Sequence, residues 1–201
     1  MNLNFSLFLF FNLLTVFSYG QNTEQEGSSY QYFNKSLTDS VPSEILIAFT
    51  DEEFLQYGVK VAYMNLKGDV IIPFGKYAYL GTDTLIHYAN VIEYSKDSIY
   101  GRCISIDQNQ NILYDIVKYD NGPDYFEQGL SRVLRNGKMG FSNHYGQIII
   151  PCIYDYAWPF KNGKAKVTFT AKKVIDKQEC HSTIISNEWF YINKEGNKIK
   201  E

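Results

Sequence analysis

The sequence is poor in most of what catalysis and metal binding draw on. It holds three histidines, three cysteines and two tryptophans in 201 residues. It contains no Gly-x-Ser-x-Gly elbow, glycine-rich phosphate loop or His-Glu-x-x-His, so the reactions those spacings serve leave no signature, and no motif implies a cofactor. Charge of one sign is scarce too: 19 Lys and Arg stand against 22 Asp and Glu, a formal net charge of −3. That excludes a strongly basic footprint and makes nucleic acid and anionic membrane poor partners. The odd set Cys103, Cys152 and Cys180 allows at most one internal bridge beside a free thiol. A disulfide framework is excluded, the fold must hold through its core, and the three read as small buried hydrophobes. No sustained apolar pattern at 3.6-residue spacing occurs; "DEEFLQY" (51–57) alone fits a helical turn or two.

Aromatics are what the sequence does have, with 17 Tyr and 14 Phe. Large rings pack well across a pleated surface, which favours strands. At the N-terminus an apolar core from Phe5 to Phe17 is followed by Ser18-Tyr19-Gly20. Small residues at Ser18 and Gly20 suit the −3 and −1 positions of a secretory signal cleaved before Gln21. The span is too short and too interrupted by Asn to cross a bilayer, and no Cys follows it for a lipid anchor. The expected organisation is a signal peptide over 1–20, a flexible polar lead-in over 21–40 and a β-repeat domain over 41–201. Once the signal is removed, no transmembrane segment is expected to remain, and the mature chain is expected to be secreted, periplasmic or on the cell surface; the alternative is a buried N-terminal strand or an uncleaved anchor.

Four segments align on one turn: "VAYMNLKGDVIIP" (61–73), "RCISIDQNQNILY" (102–114), "MGFSNHYGQIIIP" (139–151) and "WFYINKEGNKI" (189–199). Gly68, Asn109, Gly146 and Gly196 take the same place in each, where a positive φ suits Gly and is tolerated by Asn. An aromatic or aliphatic alternation precedes the turn and a β-branched run follows it, with Pro73 and Pro151 closing two of the third strands. A second turn lies inside each unit, clearest at Asn136-Gly137 between "LSRVLR" and "KMGFSN". Each unit is therefore a three-stranded meander that cannot bury its own apolar face and must stack on or pair with a neighbour. The fold class is all-β, with about four degenerate antiparallel meanders in one array. An open, solenoid-like array is favoured, and a closed barrel- or propeller-like one is the alternative.

The stretch "FEQGLSRVLRNGKMGFSNHYGQIIIPCIYDYAWPF" (126–160) resembles the WG-repeat, or KWG-repeat, family of bacterial proteins. Phe126, Gly129, Val133, Gly137, Lys138, Gly140, Phe141, Gly146 and Pro151 match its pattern. Tyr154, Asp155, Phe160, Gly163 and Val167 match the start of the next copy. The Trp-Gly pair that names the family is Met139-Gly140 here, Val61-Ala62 in the first copy, Arg102-Cys103 in the second and Trp189-Phe190 in the last, so no copy keeps both. The resemblance implies a β-rich repeat module and no reaction; partner binding is the role it suggests.

Candidate chemistry is sparse. Asp107, Asn109 and Asn111 have the first spacings of a calcium loop, but Ile112 and Lys118 replace its Gly and bidentate Glu, and a polar turn explains them without a metal. Cys180-His181 adjoin in an insertion, where strand neighbours point to opposite faces and a zinc site lacks further ligands. Asp120 and Asp124 flank a turn, and a carboxylate pair close in space but scattered in sequence would suit a glycosidase. Asn34-Lys35-Ser36 fits a glycosylation sequon, a triplet frequent by chance. "YDYAWPF" (154–160) is the most informative connection: Tyr156 and Trp158, if solvent-facing, form an amphipathic shelf suited to a glycan or peptide. The plainer alternative, which the repeat matches of Tyr154 and Phe160 favour, has these rings capping the contact between units. The leading functional expectation is an exported, non-catalytic binding or scaffolding module. It would meet a protein, peptide or glycan at the cell envelope. The alternatives are a cell-surface hydrolase with a hidden carboxylate site and a structural spacer.

Overall fold

One side chain organises each turn between the second and third strands of a unit. The computed structural model describes residues 31–34, 44–95, 98–120, 122–175 and 182–200, and in it Asn65, Asp107, Asn143 and Asn193 open four turns of one design. The N–H three residues on donates to the opening residue's carbonyl, as from Gly68 to Asn65 and from Gly146 to Asn143, both at 3.0 Å. The side-chain oxygen accepts the N–H four residues on: Asp69 to Asn65 at 2.9 Å, Asn111 to Asp107 at 2.9 Å, Gln147 to Asn143 at 3.1 Å and Asn197 to Asn193 at 2.8 Å. Such Asx geometry mimics a backbone turn and leaves one residue left-handed. That residue is Gly68, Gly146 or Gly196 in three copies, and Gln110 at φ 64° in the second. The alignment of Asn109 with the three glycines is thus off by one, because Asp107 sets the count. The same carboxylate also accepts the Asn111 side-chain amide at 2.9 Å, so the calcium-like run is a turn built on itself.

The described residues form eighteen strands and no helix. The first meander is β1 (Leu46–Phe49), β2 (Lys60–Asn65) and β3 (Val70–Tyr79), followed by the short β4 (Thr84–Leu85). The second is β5 (Ala89–Ser95), β6 (Ser98–Ile106) and β7 (Ile112–Ile116). A two-strand ladder, β8 (Lys118–Tyr119) with β9 (Gly122–Pro123), leads to the third meander, β10 (Ser131–Arg135), β11 (Lys138–Ser142) and β12 (Ile148–Tyr154). The fourth unit holds β13 (Tyr156–Ala157) and β14 (Ala165–Thr168), an inserted hairpin of β15 (Lys172–Ile175) and β16 (Ser182–Ile185), then β17 (Phe190–Ile192) and β18 (Lys198–Ile199). Residues 51–57, which suggested a helical turn, form bends and the start of a turn instead. Cys180 and His181 lie outside the described residues, as do the signal segment and the sequon's Lys35 and Ser36.

All registered pairings are antiparallel, and the array is open. Three units join edge to edge in one ten-stranded sheet ordered β12-β11-β10-β7-β6-β5-β3-β2-β1-β4, while the fourth forms its own sheet, β13-β14-β17-β18. No sheet closes into a barrel. The Asn136-Gly137 hairpin is as the sequence indicates, with φ of 51° and 72°, the left-handed pair that matches the twist of the flanking strands.

Inside the first and third units the last two strands shift register twice, once beside the turn and more widely further along. Tyr63 pairs with Ile72 but Val61 with Tyr77; Phe141 pairs with Ile150 but Met139 with Tyr154. Pro73 and Pro151 sit in these bulges, where an absent N–H breaks no ladder bond; they lie within β3 and β12 rather than closing them. Opposite each bulge stands a small residue, Ala62 or Gly140. A Cβ on Gly140 would come within 2.5 Å of the Ile150 carbonyl oxygen and 2.7 Å of the Cys152 nitrogen, so the bulging strand leaves no room for a side chain. Counted from Asp107, the second copy has Cys103-Ile104 here, and Ile104 pairs directly with Asp115. The small residue of the repeat pattern is the partner of this bulge; with Ile104 in its place the second unit keeps register there and shifts only beside the turn, between Ser105 and Ile106.

Alternation along these strands supplies the core. Leu46, Val61, Tyr63, Ile72, Val91, Ile104 and their neighbours form one cluster in the first two units. Phe141, Ile150, Tyr154, Phe160, Val167 and Ile192 form another that joins the third unit to the fourth. Phe141 meets Phe160 edge to face at 4.8 Å. Leu113, Tyr114 and Val133 bridge the second and third units. Burying each such side chain contributes about 1.5–3 kcal/mol.

Part of the polar lead-in also packs on this sheet. Tyr32 donates its phenol to Asp115, accepts from Arg102 Nη2 at 3.1 Å and lies against the Arg135 guanidinium at 5.3 Å. Arg135 in turn donates to the Phe33 carbonyl at 2.7 Å and to Asn34 Oδ1 at 2.5 Å. Arg102 and Asp115 belong to the second unit and Arg135 to the third, so this segment spans their seam.

Candidate functional site

The connection from β12 to β14 alternates between core and surface. Tyr154, Ala157 and Phe160 are buried, while Trp158 remains 46 % exposed and Tyr156 half-buried. The backbone is pinned: Trp158 N–H donates to the Lys166 carbonyl at 2.8 Å, and Ala157 N–H meets Met139 Sδ at 3.3 Å. Met139, standing where the family has its Trp, thus packs beneath this connection. The indole therefore sits one residue beyond β13 on a backbone hydrogen-bonded to the fourth unit.

The fourth unit adds to it. Lys166 pairs with Tyr191, and Ala165 with Ile192, so alternate residues go inward while Lys164, Lys166, Trp189 and Tyr191 share the outer face. Tyr156 contacts Trp158 at 5.4 Å and Trp189 at 6.3 Å, both edge to face. The Lys164 ammonium lies 4.4 Å above the Tyr191 ring and that of Lys166 lies 5.2 Å above Trp189. Such cation–π contacts hold the lysine stems along the rings.

Trp158 and Pro159 form a wall between two open clefts. One, of about 580 Å³, is lined by Trp158, Pro159, Lys161, Lys164, Lys166 and Tyr191 among others. The other, of about 730 Å³, takes in Tyr119, Tyr125, Asp124, Tyr156, Trp158 and Lys173. Arg132 binds Asp124 through two parallel bonds in the latter, Nε to Oδ2 at 2.8 Å and Nη2 to Oδ1 at 2.7 Å. Burial alone would lower the Arg132 guanidinium, but the bonds and charge of Asp124, with the Tyr156 phenol, outweigh it and the net shift is upward.

The other sequence candidates stand elsewhere. Asp124 is committed to Arg132, and Asp120 sits at φ 53° in the turn between β8 and β9. Cys103 and Cys152 are unbridged and half-buried; burial pushes the Cys152 thiol up to about 11, with Arg135 opposing the rise, so it is held protonated at neutral pH. His144 stacks on Phe126 at 3.9 Å. Among the described residues no three His, Cys, Asp or Glu side chains gather as a metal site would require. Sequence reasoning reached Tyr156 and Trp158 but missed Lys164, Lys166, Trp189 and Tyr191. Their signal was the period-two alternation in "KAKV" and "EWFYIN", whose pairing across the insertion gives these side chains one face.

Fold and site together define an antiparallel β-repeat protein that presents an aromatic row on one unit. Residues 139–170 match the family model described as the WG containing repeat; this segment, from the bulge glycine through Trp158 to β14, is similar to that repeat. No curated protein and no solved structure matches the chain.

Proposed function

We propose that this chain is an exported, non-catalytic binding module whose ligand lies along the Tyr156–Trp158–Trp189 row. The observation that carries the reading is the exposure of Trp158. An indole left 46 % exposed on a pinned backbone between two clefts is placed for contact rather than for core packing. Rigid aromatics of this kind dominate recognition surfaces because they cover area at little entropic cost. Export is read from the apolar Phe5–Phe17 run and the Ser18-Tyr19-Gly20 site before Gln21, and N-terminal sequencing of the secreted chain tests it.

The protein supplies its own reporter, since Trp158 and Trp189 are its only tryptophans. Envelope polysaccharides and peptides titrated into the mature chain should shift Trp emission for at least one class. The double substitution Tyr156→Ala/Trp158→Ala should weaken that ligand by about tenfold or more, the scale of an aromatic hot spot, with an unchanged far-UV spectrum. Equal binding by both forms, or no response across the panel, overturns the reading.

A further inference from the structure

Resting on that reading of the site, we infer that its ligand is an acidic polysaccharide. Uronate carboxylates would meet Lys161, Lys164 and Lys166 while a sugar face stacks on Trp158, the ring this cleft shares with the row.

Charge along the chain is divided in a way the net value hides. Residues 1–156 carry ten Lys and Arg against seventeen Asp and Glu, whereas residues 157–201 carry nine Lys against five. Such asymmetry points the positive section toward an anionic partner. Three of those lysines line the 580 Å³ cleft beside Trp158 and Tyr191, with Glu127 the one carboxylate among its lining residues. None of the three is in an ion pair among the described residues, whose salt bridges are Arg102–Asp115, Arg132–Asp124 and Lys138–Asp155. The cleft thus sets ammonium groups beside flat apolar faces, a pairing complementary to a sugar ring that bears a carboxylate.

The topology selects among anionic polymers. An acidic peptide would gain most by adding to a free strand edge. Here β14 is flanked by β13 and β17, and the sheet's free edges, β13 and β18, are two residues each, so they offer a peptide little ladder. A nucleic acid asks for a wider basic footprint than the three lysines of one cleft on a chain of net charge −3. A polysaccharide that offers ring faces and carboxylates to a few cations fits best.

The test follows Trp emission of the mature chain with four probes at low and high salt: polygalacturonate, a neutral galactan, polyglutamate and oligo-dT. Polygalacturonate should bind most tightly and weaken several-fold on raising the salt. The triple substitution Lys161→Gln/Lys164→Gln/Lys166→Gln should weaken it about tenfold at an unchanged melting temperature, and the three corresponding Lys→Arg changes should restore most of the loss. If the galactan binds as well and the lysine substitutions change nothing, the aromatic reading stands and the acidic ligand is refuted. Tighter binding of polyglutamate or oligo-dT assigns the site to that polymer and overturns the inference. Silence from all four probes counts against the inference and the aromatic reading together.

Discussion

Replacing Asp124 with Asn removes the carboxylate on which a buried arginine depends. The Arg132 and Asp124 side chains are 5 % and 4 % exposed, with Nη2 and Oδ1 at 2.7 Å. The same arginine also donates Nη1 to the Ala157 carbonyl at 3.2 Å, tying β10 to the strand that opens the fourth unit. Leaving a buried charge without its partner costs about 3–5 kcal/mol. A domain of this size has on the order of 5–15 kcal/mol in all, so the loss is a large share of the whole. With a urea dependence of about 2 kcal/mol per molar, a 4 kcal/mol loss lowers the unfolding midpoint by about 2 M. Urea unfolding followed in parallel by Trp emission and far-UV dichroism measures it, and coincident transitions validate the two-state treatment. The double substitution Asp124→Leu/Arg132→Met removes both charges and should return to within about 2 kcal/mol of the parent, because apolar replacement of a buried pair is often nearly neutral. The reasoning fails if Asp124→Asn costs under about 1 kcal/mol, the range of exposed pairs, or if the double substitution falls as far as the single.

Three further outcomes are expected. Gln110→Gly, at φ 64°, relieves about 1–2 kcal/mol of left-handed strain against about 0.5–1 of added chain entropy. It should raise the melting temperature slightly, whereas Gly146→Ala, whose Cβ would meet the Tyr88 ring at 2.8 Å, should lower it; shifts in the same direction would refute the equivalence of the two turns. Gly140→Ala should cost about 1–3 kcal/mol by overpacking the bulge, a drop of roughly 2–12 °C by calorimetry; an unchanged melt would show that the strand opposite yields. Burial, with the Glu93 charge, pushes the Tyr77 phenol up to about 12, and burial also raises Tyr63, Tyr88 and Tyr114. Because unfolded tyrosines ionise near pH 10 while these do not, stability contributed by the neutral phenols should be intact below pH 10. It should drain away as the pH climbs toward about 12; tyrosinate absorbance rising in one smooth step, uncoupled from unfolding, would contradict this.

The turns were legible because a positive φ is a demand that few residues meet. Gly68, Gly146, Gly196 and Asn136-Gly137 advertised it openly. Gln110 did not, since its conformation is imposed by the Asp107 carboxylate three residues earlier, and the sequence signal fell on Asn109 instead. The repeat resemblance pointed to Tyr154 and Phe160 as core rings, but it could not say whether units meet by faces or by edges, because both bury the same residues. The bulges were hidden for a related reason: Pro73 and Pro151 looked like strand ends, and only the missing space above Gly140 shows that the strand carries on. At the site, Tyr156 and Trp158 announced themselves by local spacing. Lys164 and Tyr191 belong together through pairing across an insertion, which local pattern does not encode. The docking of Tyr32 has no period at all and rests on two arginines about seventy and one hundred residues away along the chain.

The seam crossed by Tyr32 is also where two units of the great sheet are joined by the fewest pairs. Only Val133 with Ile116 and Leu134 with Asp115 register across it, against three pairs between the first and second units. Pulled apart, the array has a natural tear line there, and Tyr32, Phe33 and Asn34 work as a rivet set across it. Load arriving through the N-terminal stretch would draw that rivet before it reached the ladder, so the order of failure is written into which end is held.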